Sequence, residues 1–158
     1  MSWKAIWLPG AIPSASWWWL SGVLVLIVSS KLAIIDPAGL LHYRSPPGQA
    51  LPADHELHAN FGDEIELLGY NLPDTHVRPG GKVRVVLYWQ AITDVQENYQ
   101  TFVHLAEPLD VAWAQEDHLN PGGLPTSRWP RDKYVWDEYE IRIPPETPPG
   151  EYRVNVGL

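Results

Sequence analysis

Residues 17–35 read WWWLSGVLVLIVSSKLAII, and this run constrains the chain more than any other stretch. As an α-helix its 19 residues reach about 28 Å, close to the hydrocarbon thickness of a bilayer. A helix that is apolar on every side needs either lipid or a large enclosing core. Nothing downstream supplies such a core, so residues 17–35 are expected to form one transmembrane helix. Its single charge, Lys31, lies near one end, where a long side chain carries its ammonium to the headgroups. Trp17, Trp18 and Trp19 form an aromatic belt at the other end, and Asp36-Pro37 stops the helix. A cleaved signal peptide fits less well. Only Lys4 stands upstream, Pro9 and Pro13 precede the run, and Ser29-Ser30-Lys31-Leu32-Ala33 puts a lysine where a cleavage site needs a small residue. Lys4 on one side against Lys31 and Arg44 on the other leaves orientation open on charge alone.

Charge divides the chain at the same place. Residues 36–158 hold all 19 acidic residues and nine of the 11 basic ones, a net −10, whereas residues 1–35 carry +2. An acidic domain repels nucleic acid and anionic headgroups, so the lipid bilayer is an expected partner only through the apolar run, and nucleic acid is none. The absence of cysteine excludes disulfides and thiolate metal sites. Sixteen prolines and 12 glycines punctuate the chain with turns, as in an all-β fold.

In order, residues 1–16 read as an interfacial or loop segment, 17–35 as the membrane helix and 36–60 as a Pro-rich linker. Residues 61–158 read as a β-sandwich domain. From Phe61 onward short runs of period 2 appear at residues 65–72, 82–91, 99–106, 111–116, 134–143 and 151–158. The clearest is KVRVVLYWQA, with Val83, Val85, Leu87 and Trp89 on one face. Val86 on the other face implies that this side is partly covered. A tight turn is expected at 107–110. Six strands without an intervening helical run predict an immunoglobulin-like antiparallel sandwich, with Tyr152 as a corner tyrosine bonding back to upstream backbone. Tyr139 is expected on a polar face. Since the last run ends in a strand, a further strand is expected to complete the fold, and the chain to be a piece of a longer protein.

Ala59-Asn60-Phe61-Gly62-Asp63, Leu67-Leu68-Gly69-Tyr70 and Pro79-Gly80 with Val85-x-Leu87-x-Trp89-Gln90-Ala91 form a motif string. Tyr99-x-x-Phe102-Val103-His104-Leu105, residues 125–129 (PTSRW) and Pro148-Pro149-Gly150-x-Tyr152-x-Val154-x-Val156 extend it. The string resembles the C-terminal extracytoplasmic β-sandwich module of bacterial polytopic glycosyltransferases of the dolichyl-phosphate-mannose mannosyltransferase type. There the module follows the last membrane helix, and the transferase chemistry belongs to a polytopic region not represented among these residues. The resemblance therefore implies topology and location, a single-pass chain of the cell membrane with its sandwich outside the cytoplasm, and no catalytic residue.

The residues themselves point the same way. Glu64/Glu66, Glu116/Asp117 and Asp137/Glu138/Glu140 are carboxylate pairs, but glycoside hydrolysis needs two carboxyls facing across a cleft with one buried. Glu64 and Glu66 share a strand face with no apolar neighbour, and Asp137 and Glu138 point to opposite faces. No nucleophile elbow, phosphate loop or His-Glu-x-x-His occurs, His104 reads as structural, and no cofactor is implied. His42, His55 and His58 lie on a Pro-broken stretch that fixes no metal geometry. The aromatic residues Trp89, Trp113, Trp129 and Trp136 are the better lead, because sugars pack on exposed rings. Arg128 and Trp129, in the long loop 118–133 with Asp117 and Asp132 at its ends, are the candidate ligand-binding pair. The competing reading of Trp129 is an anchor fastening the loop to the core. The expected function is a non-catalytic accessory domain, part of or partner to a membrane glycosyltransferase. A carbohydrate-binding module and a purely structural cell-surface domain are the alternatives.

Overall fold

The computed structural model describes residues 15–35, 46, 48–50, 52–107 and 111–158. The chain divides into two compact units, Met1–Ala38 and Gly39–Leu158. In the first, α1 (Ala15–Ser30) passes into a π-helical stretch, Lys31–Ile35. The expected span is thus helical, but in two hydrogen-bonding patterns. The α-helix proper has 16 residues, about 24 Å of rise. Among the described residues, no helix is long and apolar enough to cross a membrane. The segment expected before the helix and residues 36–45 of the expected linker fall almost wholly outside the described residues, as do residues 108–110 of the expected tight turn.

The second unit is built of strands: β1 (His55–Phe61), β2 (Ile65–Asn71), β3 (Lys82–Ala91), β4 (Thr101–Ala106), β5 (Ala112–His118), β6 (Val135–Arg142) and β7 (Arg153–Gly157). They form two antiparallel sheets, β1-β2-β3-β6 and β5-β4-β7. Both sheets contribute to one core. Ile65, Val85, Leu87, Trp89, Val103 and Val135 are fully enclosed there, consistent with a β-sandwich.

The alternation in β3 turns Val83, Val85, Leu87 and Trp89 into this core. Its other face is covered as well, as the apolar Val86 implies: Val86 packs in a second cluster with Ala50, Leu68, Tyr88 and Tyr134. Residues 48–50 and 52–54, expected as linker, contribute Ala50 and Ala53 to that cover. The Gly48 amide donates to Gln90 Oε1 at 3.0 Å, and Asn71 Nδ2 donates to the Pro52 carbonyl at 3.0 Å. Residues 55–60 are not linker either. They belong to β1, which pairs with β2. The strand was hidden because His55, Glu56, His58 and Asn60 are polar, although Leu57, Ala59 and Phe61 keep period 2.

At the far end of the chain, the Tyr152 hydroxyl donates to the Pro148 carbonyl at 2.7 Å, the contact expected of a corner tyrosine. Tyr139 does not occupy a polar face. It is 0 % exposed, because the inward row of β6 is Val135, Asp137, Tyr139 and Ile141. The acidic Asp137 within that row disguised its phase.

Candidate functional site

β5 and β6 are outer strands of different sheets that meet along one flank of the fold. Period 2 in β6 turns Asp137 inward, leaving its side chain only 4 % exposed. A buried carboxylate persists only with hydrogen-bond partners. Asp137 has three. Oδ1 accepts from His118 Nδ1 at 2.8 Å and from the Gly122 amide at 3.0 Å, and Oδ2 accepts from Thr101 Oγ1 at 3.4 Å. Gly122 delivers its amide from a left-handed turn with φ of 64°. A β-carbon there would come within 2.8 Å of the Trp136 carbonyl and into the Val135 side chain, so glycine alone fits this approach.

The His118 ring lies flat on Tyr139, with centroids 4.1 Å apart and planes 11° from parallel. Its Nε2 stands 3.5 Å from Glu116 Oε1, while Glu116 Oε2 accepts the Glu140 amide at 2.7 Å. The Tyr139 and Thr101 hydroxyls share a short hydrogen bond. Burial, and next the charge of Asp137, push the Tyr139 hydroxyl far above its ordinary value of 10. It therefore serves as a neutral hydrogen-bonding group.

Beside this cluster lies a shallow depression of about 690 Å³ bordered by Asp117, His118, Asn120, Trp136 and Glu138. Trp136 is 42 % exposed at its rim. Glu138 is ion-paired with Arg84. An open indole among carboxylates, an amide and an imidazole can stack on an apolar ring face and accept or donate to hydroxyls around it.

The two expected ligand-binding residues part company here. Arg128 is exposed at the end of the turn Thr126–Arg128. Trp129 is 6 % exposed and packs in the core, with its indole N–H donating to the Leu124 carbonyl at 2.9 Å. Its ring presents no free face to a sugar, and it fastens the loop as the anchoring alternative required. Thr126 fastens the same loop, donating to the Glu97 carbonyl at 2.7 Å and accepting the Tyr99 amide at 2.8 Å. Asp117 borders the depression, and Asp132 is exposed on a turn.

Other candidates are dispersed. Glu64 accepts the Tyr99 hydroxyl at 2.6 Å, and that bond raises the tyrosine above its usual range. Glu66 meets His58 Nδ1 at 3.1 Å. His55 stacks on Tyr70, and His104 lies tilted against Phe102. His42 lies outside the described residues. Among the described residues, no group of three or more His, Cys, Asp or Glu is arranged to hold a metal. His118 and Asp137 were missed as a pair from sequence. The available signal was an aspartate in phase with Val135, Tyr139 and Ile141.

Comparison with known proteins finds no matching family model, no matching curated protein and no matching solved structure.

Proposed function

We propose that this chain is a non-catalytic, membrane-anchored accessory domain, extracytoplasmic and associated with a membrane glycosyltransferase, and that it contacts glycan through the Trp136 depression. The carrying observation is the make-up of that depression: an exposed indole flanked by Asp117, Asn120 and Glu138, beside the hydrogen-bonded His118–Asp137 pair. The continuous helical path from Ala15 to Ile35, with apolar and exposed side chains from Trp18 to Val28 broken only by Ser21 and Gly22, supports the anchor. The two antiparallel sheets about one core and the Tyr152 corner bond support a sandwich of the immunoglobulin-like kind, although the order β1-β2-β3-β6 and β5-β4-β7 differs from the immunoglobulin strand order.

The test is tryptophan fluorescence of the full chain during titration with mannotriose, cellotriose and chitotriose. A saturable shift with at least one sugar, lost in Trp136→Ala at unchanged melting temperature, is expected. Silence toward all three, or a shift that survives Trp136→Ala, rejects the glycan contact and leaves a structural role.

A further inference from the structure

Trp136 borders a second depression besides the one already described. β6 pairs with β3 so that Trp136 stands opposite Tyr88, and Glu138 opposite Val86. Residues directly opposite in an antiparallel pair share a face, here the one turned away from the main core. On that face lies a hollow of about 390 Å³, bordered by Trp136 and Pro52. Its buried lining is apolar and aromatic, from Val86, Tyr88 and Tyr134.

Two polar side chains, Asn71 and Arg84, also line it. Asn71 is committed to the fold, since its Nδ2 donates to the Pro52 carbonyl at 3.0 Å and to the Tyr88 hydroxyl at 3.2 Å. Its Oδ1 accepts the Asp54 amide at 2.6 Å. Arg84 is half exposed and ion-paired through Nε with Glu138. A guanidinium carries five N–H donors, more than one carboxylate engages, so Arg84 has donors left for a ligand. Glu138 borders the first depression and Arg84 the second. The two hollows thus adjoin at the Trp136 indole and at one ion pair. At about 690 and 390 Å³, each falls within the usual range of ligand pockets, roughly 300–1,000 Å³.

We infer that the two depressions are adjacent subsites of one site, and that its ligand is an oligosaccharide bearing N-acetylhexosamine. This rests on the glycan reading of the Trp136 depression. A single sugar stacked on the indole fills one hollow and leaves the other to water, whereas a chain continuing past the indole fills both. The second hollow selects an acetamido group. The methyl of that group meets Val86 and Pro52, and its carbonyl accepts from Arg84. A bare hydroxyl there would lose water against an apolar lining. A uronate would bring its charge beside Glu138, in a domain already at net −10.

The test titrates the full chain with N-acetylglucosamine, chitotriose and cellotriose, read by calorimetry and tryptophan fluorescence. Cellotriose matches chitotriose in length and linkage but carries a hydroxyl in place of each acetamido group. Chitotriose should bind roughly tenfold tighter than either of the others, and Trp136→Ala should abolish its binding. Arg84→Lys keeps a cation opposite Glu138 but lacks the fork, and should bring chitotriose down to the level of cellotriose. Trp136-dependent binding in which N-acetylglucosamine or cellotriose equals chitotriose, or in which Arg84→Lys changes nothing, overturns the inference and leaves the glycan reading standing. No Trp136-dependent binding of any of the three sugars removes the glycan reading, and the inference with it.

Discussion

Asp137→Ala tests whether the cluster between β5 and β6 holds the two sheets together. The substitution removes one buried carboxylate and strands three donors. The Gly122 amide is fixed by its turn, so it loses the bond to Asp137 Oδ1. His118 is partly exposed and can turn toward water, which moderates its loss. Thr101 retains the Tyr139 hydroxyl. Breaking a buried, charge-assisted cluster of this kind costs about 3–5 kcal/mol. Asp137→Asn should cost only about 1 kcal/mol, because Oδ1 still accepts from His118 and Gly122 while the new amide nitrogen donates to Thr101. Urea unfolding followed by tryptophan fluorescence gives both values, with an unchanged m-value expected for each variant. A double-mutant cycle with His118→Ala should return a coupling of about 1–3 kcal/mol. If alanine costs less than about 1 kcal/mol, or if asparagine costs as much as alanine, the cluster is not what joins the sheets.

Three further outcomes follow from the same packing. Trp129→Ala should cost about 3–5 kcal/mol in urea unfolding, as for a buried tryptophan, and leave any glycan-induced shift of Trp136 in place. Gly122→Ala should cost about 2–4 kcal/mol, because it adds a side chain at positive φ and drives it against Trp136 and Val135; the loss is read from thermal melting. Tyr139→Phe should cost about 1–2 kcal/mol, more than Tyr152→Phe, whose hydroxyl bond is exposed. Because the folded Tyr139 hydroxyl is raised above its unfolded value of 10, the stability it contributes is complete below pH 10 and falls as pH rises beyond it. Stability measured above pH 10 should therefore decline less steeply in Tyr139→Phe than in the parent.

Legibility followed the clarity of alternation. β3 stood out at its observed bounds because every second residue from Val83 to Trp89 is large and apolar. β6 was found but placed half out of phase, because an aspartate in an apolar row looks like the polar face until its partners are known. β1 was read as linker, since four of its seven residues are polar and prolines precede it. Its apolar set was visible, but edge strands with half-exposed apolar residues give a weak signal. The candidate site was the least legible part. His118 and Asp137 lie 19 residues apart on different sheets, and only the packing of β5 against β6 brings them together. Trp129, in the long loop, was the expected ligand platform, and Trp136 was not singled out. A core carbonyl within reach of the one indole, and strand phase at the other, separate them.

The two flanks of the sandwich are closed by different physics. On the β5/β6 side a buried carboxylate gathers donors from β4, β5 and the Pro121–Gly123 turn, and directional bonds of this kind fix one arrangement of the sheets. On the β1/β7 side the contacts are apolar and incomplete, with Val154 and Val156 half-covered opposite Leu57 and Phe61. Apolar contacts are non-directional, so no single bond fixes the arrangement of this flank. Displacing the strands of the directional flank would instead leave the Gly122 amide and Thr101 hydroxyl without their Asp137 acceptor. The depression that presents Trp136 is thus built on the flank fixed by directional bonds.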